Sequence, residues 1–115
     1  MWGLSIYNGT LFFHGGGDDF SSSLTVPLNQ WGYVGYSYNG GTSVTVYLNT
    51  QGQTGTISQQ LNVPLVTNFS IGSACYFGNF AGKMDDVRIY KFALLSYQVK
   101  QLYAQGLTKH LLVFK

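Results

Sequence analysis

The sequence predicts an all-β fold, an antiparallel β-sandwich or barrel with one short C-terminal helix. Short stretches that alternate apolar and polar residues recur along the chain with turn-forming residues between them, which is typical of such folds. Aromatic residues make up 17% of the 115 residues and 15 residues are glycine, a composition that favours strands joined by tight turns. Apolar residues at helical spacing occur near the C-terminus.

The first predicted element is a β-hairpin. Its strands are expected at residues 4–7 and 10–13, and Asn8-Gly9 between them tolerates the positive φ angles of a type I′ turn. A glycine-rich loop follows at residues 14–19. Residues 23–28 alternate weakly and contain a proline, so they predict an edge strand or the end of a strand.

The clearest alternation lies in the middle of the chain. Residues 31–38 predict a strand with Val34, Tyr36 and Tyr38 on one face, and residues 44–49 predict the next strand. In that second strand Val44, Val46 and Leu48 share a face. A polar turn is then expected at residues 51–55, followed by a strand over residues 56–63.

The C-terminal third predicts short strands and a helix. The strands are expected at residues 69–72, 74–77, 84–90 and 111–114, and Val87 and Ile89 share a face of the third. The helix is expected over about residues 96–105, because Ser96 is a favourable N-cap and Gly106 suits the left-handed residue that follows a helix.

The charge distribution argues against nucleic-acid binding. Charged residues make up 9% of the chain, the net charge is +2, and all six basic residues follow residue 82 without forming a cluster. No run of eighteen apolar residues occurs, so a membrane-spanning helix is not expected.

The residues also argue against catalysis. The chain has no glutamate, and no local motif supports a nucleophile with an adjacent base. A lone cysteine, Cys75, excludes an intrachain disulfide and a site with several cysteine ligands, and its apolar surroundings favour a buried, inert thiol. We therefore expect a protein that is not an enzyme.

Several motifs occur in an order that resembles laminin-G-like domains. Asp85-Asp86-Val87-Arg88-Ile89-Tyr90, then Ala93-Leu94-Leu95-Ser96 and Leu102-Tyr103, resemble the C-terminal signature of these domains. Upstream, Trp31-Gly32-Tyr33-Val34 and Val46-Tyr47-Leu48-Asn49 resemble two of their strands, although Thr50 stands where glycine is usual. The resemblance spans about residues 4–106.

Laminin-G-like domains belong to the concanavalin A-like lectin and glucanase superfamily, so the resemblance implies a jelly-roll sandwich of two antiparallel sheets. The chain is expected to be a single domain over residues 1–115 that lacks several N-terminal strands of the family. Such a sandwich has open edges, which predicts strand sharing with another chain or a homo-oligomer, beside residues 4–7 or 111–114.

The resemblance favours a non-catalytic extracellular binding or adhesion module that recognises a glycan or an extracellular protein. An alternative is a structural subunit of a surface filament, a surface layer or a virus particle, because sparse charge suits packing against neighbours. A further alternative is an accessory domain fragment of a carbohydrate-active enzyme. All three place the chain outside the cell or on a cell or virion surface.

Two groups of residues are candidates for ligand binding. His14, Asp18 and Asp19 share the glycine-rich loop and suit a cation or a sugar hydroxyl, although adjacent aspartates also occur as solvated turn residues. Aromatic residues beside turns could instead stack on sugar rings or cap the ends of the sandwich. These are Tyr38, Tyr76 and Phe80.

The resemblance also implies a candidate metal ligand, Asp85. In some relatives an aspartate of the equivalent late strand helps to hold a structural Ca²⁺, an ion that prefers six to eight oxygen ligands. The alternative is that one of the two aspartates accepts hydrogen bonds in a turn while the other pairs with Arg88 or Lys83. Asn8 and Asn68 lie in N-glycosylation sequons.

Overall fold

The computed structural model describes residues 3–61, 69–74 and 78–110, which form two stacked three-stranded antiparallel sheets, a two-stranded ribbon and one helix. The first sheet has the order β1-β2-β3 and the second β4-β5-β6, while β7 pairs with β8. The elements are β1 Gly3–Tyr7, β2 Thr10–His14, β3 Phe20–Thr25, β4 Val34–Tyr38, β5 Ser43–Leu48, β6 Gln51–Thr56, β7 Ser73–Ala74, β8 Gly78–Asn79 and α1 Ser96–His110.

The N-terminal hairpin is confirmed. Asn8 and Gly9 have φ angles of 48° and 80°, the pair of positive values that a type I′ turn requires. The register places Leu4 opposite Phe13, so the apolar side chains of both strands share the face that meets the core. The next strand, β3, ends before Pro27, as the sequence indicates.

A β-bulge interrupts the pairing of β2 with β3. Thr10 lies opposite Thr25, but Phe12 lies opposite Ser21, so β3 contains extra residues at this point. The Ser22 hydroxyl is buried there and donates a hydrogen bond of 2.7 Å to the carbonyl of Leu11. The serine side chain thus satisfies a carbonyl that lies at the irregularity in the ladder.

The central pair of strands in the second sheet follows the predicted faces. Tyr36 lies opposite Val46 and Tyr38 opposite Val44, which puts their side chains on the core side. The prediction that this strand begins at Trp31 is wrong, because β4 starts at Val34, and Trp31 lies outside the strand and is 49% exposed.

The prediction of a polar turn at residues 51–55 is wrong, because these residues belong to strand β6. They carry no large apolar side chain of the kind that predicts a strand, yet every residue of β6 pairs with β5. The core side of β6 needs little volume, because the Phe20 ring of the other sheet already fills the space beside Gly55. Tertiary packing therefore decides the structure of this segment.

The core lies between the two sheets. Phe13, Val44 and Val46 have no exposed surface, and the rings of Phe13 and Tyr36 are 5.1 Å apart between centroids. Two further core residues, Ile57 and Leu61, come from an irregular segment, so the strand predicted over residues 56–63 is wrong for residues 57–61, and residues 62–63 lie outside the described ranges.

Two further strand predictions fail in the C-terminal third. Residues 69–72 form no strand and contain a bend at residues 71–72, and residues 84–90 form no strand. In the latter segment Val87 is 54% and Ile89 73% exposed, so the expectation that they face the core is also wrong. Asp86 has a φ of 53°, a left-handed conformation that a continuous strand cannot contain.

The helix α1 is confirmed but is longer than predicted. It begins with Leu95 rather than Ser96 in the N-cap position, because the Leu95 carbonyl accepts hydrogen bonds from the amides of Gln98 and Val99. The Gln98 side chain in turn accepts the Leu95 amide, which is the half of a capping box that the third helical residue supplies. The helix continues through Gly106, so this glycine does not end it.

Some predictions concern residues outside the described ranges, namely the strand at residues 111–114, all of the strand predicted at 74–77 except Ala74, which lies in β7, and the side chains of Cys75, Tyr76 and Asn68. Within the described ranges, no helix combines the length and apolar character needed to cross a membrane.

Candidate ligand-binding groove

A groove lies on the outer face of the second sheet, beside the first turns of α1. Its volume is about 180 Å³. The sheet contributes Thr45, Tyr47, Asn49, Thr50, Gly52 and Thr54, and the helix contributes Ser96, Val99 and Lys100.

The alternation of β5 and β6 explains why these residues line the groove. Thr45 pairs with Thr54 and Tyr47 with Gly52, all on the face opposite Val44 and Val46. The core therefore fixes one face of the two strands, and the same alternation directs hydroxyl-bearing side chains toward the groove.

The floor of the groove is closely packed. Tyr47 is 6% exposed and its ring lies against Gly52, where a Cβ atom would stand 3.0 Å from the Tyr47 Cε1 atom. Val99, on the helix side, is 3% exposed. One buried side chain thus lies on each side of the groove, Tyr47 on the sheet and Val99 on the helix.

The groove is polar but almost without charge. The hydroxyl oxygens of Thr45 and Thr54 are 2.8 Å apart, so one donates to the other and the second keeps a hydrogen to donate elsewhere. Lys100 supplies a cationic donor, and no acidic side chain lies among the lining residues. Such a lining suits an uncharged ligand that carries several hydroxyl groups.

The Asn49 side chain fixes the end of the groove near β4. Its Oδ1 atom accepts a hydrogen bond from the backbone amide of Tyr33 at 2.9 Å. The backbone amide of Asn49 donates to the Tyr33 carbonyl, also at 2.9 Å. Burial raises the pKa of the Tyr33 hydroxyl, and the neighbouring Tyr90 and Tyr47 raise it further while Arg88 lowers it. The side chains of Tyr90 and Arg88 therefore lie near the Tyr33 hydroxyl.

The sequence-predicted loop residues His14, Asp18 and Asp19 are brought together, on a different part of the molecule. The two carboxylate oxygens of Asp18 accept the amides of Ser58 and Gln59, each at 2.8 Å. These hydrogen bonds lower the pKa of Asp18. Asp18 thereby ties the glycine-rich loop to the segment that supplies Ile57 to the core.

The other two loop residues form a second set of contacts. Asp19 accepts the Gly15 amide at 2.9 Å, and its second oxygen lies 3.7 Å from Nδ1 of His14. Nε2 of His14 lies 2.6 Å from the Ser5 hydroxyl oxygen, and the His14 ring lies on that of Phe12 at 4.6 Å. These contacts give the loop residues structural roles, and ligand binding by them stays a prediction.

The predicted aromatic residues lie on separate elements. Tyr38 packs against the core, donates to the Gly41 carbonyl at 2.8 Å and accepts the Leu61 amide at 3.1 Å. Phe80 follows β8 and is 45% exposed, so its ring is accessible for stacking. Asn8 is exposed at the tip of the first hairpin, and its glycosylation stays a prediction.

Asp85 and Asp86 contact the far end of the helix. Nζ of Lys109 lies 2.9 Å from a carboxylate oxygen of Asp85 and 3.4 Å from one of Asp86, and both carboxylates raise the pKa of Lys109. Asp85 also accepts the Asp86 amide, and Arg88 lies 3.6 Å from Asp86. The predicted pairing with Arg88 thus falls on Asp86, whereas Lys109 is a partner that sequence spacing did not indicate.

Binding of Ca²⁺ by Asp85 stays a prediction. Across the described ranges, no group of three or more His, Cys, Asp or Glu side chains lies close enough to share a metal ion. The two aspartates supply fewer oxygens than the six to eight that Ca²⁺ prefers, and a lysine ammonium already occupies their shared side.

The groove was missed at the sequence level because two of its lining residues, Gly52 and Thr54, lie in β6, a segment whose sequence predicts a polar turn. Threonines at residues 45 and 54 carry no motif, and only the strand register puts them together.

Two stacked antiparallel sheets with a shared apolar interior define a β-sandwich domain of the jelly-roll class. Residues 2–100 match the laminin G family model described as the concanavalin A-like lectin/glucanases superfamily, and the chain belongs to this family. No curated protein sequence matches the chain.

A solved structure has a similar fold. It is the 2.1 Å crystal structure of an S-layer domain-containing protein (residues 221–444) from Clostridium thermocellum ATCC 27405, with a TM-score of 0.58 and 22% sequence identity. The match covers 83% of this chain and 52% of the other, so the chain corresponds to about half of that structure. At this identity the likeness supports the fold alone.

Proposed function

We propose that the chain is a non-catalytic binding module, exposed outside the cell or on a cell or virion surface, that binds a glycan through the groove beside α1. The observation that carries the proposal is the lining, which combines hydroxyl and amide groups with one lysine and no carboxylate. Membership in a superfamily that includes lectins is consistent with this function.

The chemistry of the groove favours a neutral sugar over an ionic ligand. A hydroxyl group both donates and accepts, so it can pair with Thr45, Thr54 and Ser96 without leaving any of them unsatisfied. A volume of about 180 Å³ admits a small polar ring rather than a long chain buried along its length. A glycan would therefore enter by one terminal or projecting residue.

A glycan array followed by calorimetric titration with the best neutral oligosaccharide tests the proposal. Thr54→Val and Lys100→Met each remove one polar partner, and each should weaken binding about tenfold, which corresponds to ~1.4 kcal/mol. Thr56→Val is the matched control, because Thr56 lies on the same face of β6 but does not line the groove. Absence of glycan binding, or equal loss in the control, would contradict the proposal.

A structural subunit of a surface assembly is the second candidate. It is supported by the fold shared with an S-layer domain-containing protein and by exposed apolar side chains after β8. These side chains include Met84, Val87, Ile89, Phe92, Leu95 and Tyr97. Ordered assembly visible by electron microscopy at high protein concentration, without glycan binding, would favour this candidate.

A further inference from the structure

Residues 84–90 have the sequence pattern of a strand but no strand partner within the described ranges. Residues 87–90 make no backbone-to-backbone hydrogen bond with another described residue. Every residue of the segment is exposed, including Met84, Val87 and Ile89 at 48%, 54% and 73%. An exposed segment with apolar side chains, in which the backbone groups of residues 87–90 are not paired with those of another described residue, is a template for pairing with another chain.

When two copies of residues 84–90 run antiparallel, the charges of one copy are complementary to those of the other. In an antiparallel pair centred on Val87, Asp86 of one copy lies opposite Arg88 of the other, and the two-fold axis repeats this pair. Met84 then lies opposite Tyr90, and the two Val87 side chains face each other. We propose that residues 84–90 pair in this register with the same residues of a second copy of the chain.

The neighbouring residue-centred registers are unfavourable. A pair centred on Asp86 would oppose two aspartates, and one centred on Arg88 would oppose two arginines. Alternation puts Met84, Asp86, Arg88 and Tyr90 on one face, so the two cross-chain ion pairs lie between two apolar–aromatic pairs on that face. Within residues 84–90 the charge pattern therefore favours the Val87-centred register.

Pairing of two copies replaces ion pairs that Asp86 makes within its own chain. Asp86 lies 3.4 Å from Lys109 and 3.6 Å from Arg88 in its own chain, and all three side chains are substantially exposed. Exposed ion pairs of this kind are weak, so a cross-chain pair can replace them. Asp86 must also leave its φ of 53° for an extended conformation, which relieves an unfavourable backbone geometry.

Charge reversal tests the register directly. In a dimer of the Asp86→Arg variant, arginine faces arginine at each 86–88 pair, and in a dimer of the Arg88→Asp variant, aspartate faces aspartate there. Each variant alone should therefore raise the dimer dissociation constant at least about tenfold. An equimolar mixture of the two variants should form a heterodimer. One chain then carries arginine at both positions and the other aspartate at both, so every cross-chain pair again joins opposite charges. Analytical ultracentrifugation measures the affinities, and native mass spectrometry with one variant isotopically labelled identifies the heterodimer.

Lys100→Asp is the matched control, because it makes the same change in net charge as Arg88→Asp on an exposed position of α1 and should leave dimerisation unchanged. Val87→Lys, which opposes two lysines, gives an independent loss if one of the charge variants does not fold. Three outcomes would overturn the proposal: a monomeric wild-type chain at its highest soluble concentration, single variants that dimerise like wild type, or no heterodimer in the mixture. Because Asp86 and Arg88 do not line the groove, their variants leave the proposed glycan binding to be judged separately.

Discussion

The Phe20 ring lies so close to the Cα atom of Gly55 that any side chain at position 55 would overlap it. Phe20 belongs to the edge strand of one sheet and Gly55 to the edge strand of the other. The contact closes the sandwich along this side, together with the hydrogen bond of 2.8 Å between the Ser23 amide and the Gln53 side chain. A small residue in β6 is therefore a packing requirement rather than a sign of a turn.

Gly55→Ala should destabilise the fold, because the added methyl group must displace the Phe20 ring from the edge of the core. Overpacking of this kind costs about 1–3 kcal/mol in the free energy of unfolding, measured by urea denaturation. Gly106→Ala is the opposite control, since nothing lies within 4 Å of the added carbon and the residue is inside α1. It should stabilise by about 0.5–1 kcal/mol, and destabilisation by both variants would contradict this account.

Asp18 should make the stability depend on pH in the acid range. Hydrogen bonds from the Ser58 and Gln59 amides lower its pKa below the ordinary 3.8, so its contribution is present above that value and is lost as the pH falls through the lowered pKa. Asp18→Asn should therefore lower the melting temperature at neutral pH, and the difference from wild type should shrink below about pH 3.8. A difference that stays constant down to the lowest accessible pH would show that the carboxylate charge contributes nothing.

Substitution by aspartate should have very different effects on stability in the core and in the exposed segment. Val46 is fully buried, so Val46→Asp places an unpaired charge in the core and should abolish folding. Ile89 is 73% exposed, so Ile89→Asp should change the free energy of unfolding by no more than about 0.5 kcal/mol. Circular dichroism during thermal unfolding distinguishes the two, and loss of fold in the Ile89 variant would indicate that this side chain is buried in solution.

Chelation should leave the melting temperature unchanged. The Lys109 ammonium lies beside both Asp85 and Asp86, and among the described residues no third acidic, histidine or cysteine side chain lies close enough to share a metal ion with them. A ligand that binds the folded state stabilises it by mass action, so a structural Ca²⁺ would make the melting temperature fall with chelator and recover with added Ca²⁺. If that response appears and Asp85→Asn abolishes it, Asp85 is a metal ligand.

Local signals in the sequence were sufficient for the all-β class, the first hairpin and the central strand pair. Asn8-Gly9 specifies its turn through backbone sterics, and the alternation around Val46 specifies which face is buried. The order of motifs across the chain was also sufficient to indicate the family, because these residues keep their spacing whatever the packing around them.

Tertiary structure alone decided the rest. The strand at residues 51–56 exists because β5 offers it hydrogen bonds and Phe20 fills the space that its side chains leave empty. Residues 84–90 show the converse, since their alternation is strong but no described strand lies beside them, and Asp86 turns toward Lys109 instead. The groove has the same origin, because Thr45 and Thr54 meet Lys100 only after the sheet and α1 have packed. A strand's hydrogen bonds and a site's lining both come from residues distant in sequence, so local pattern cannot specify them.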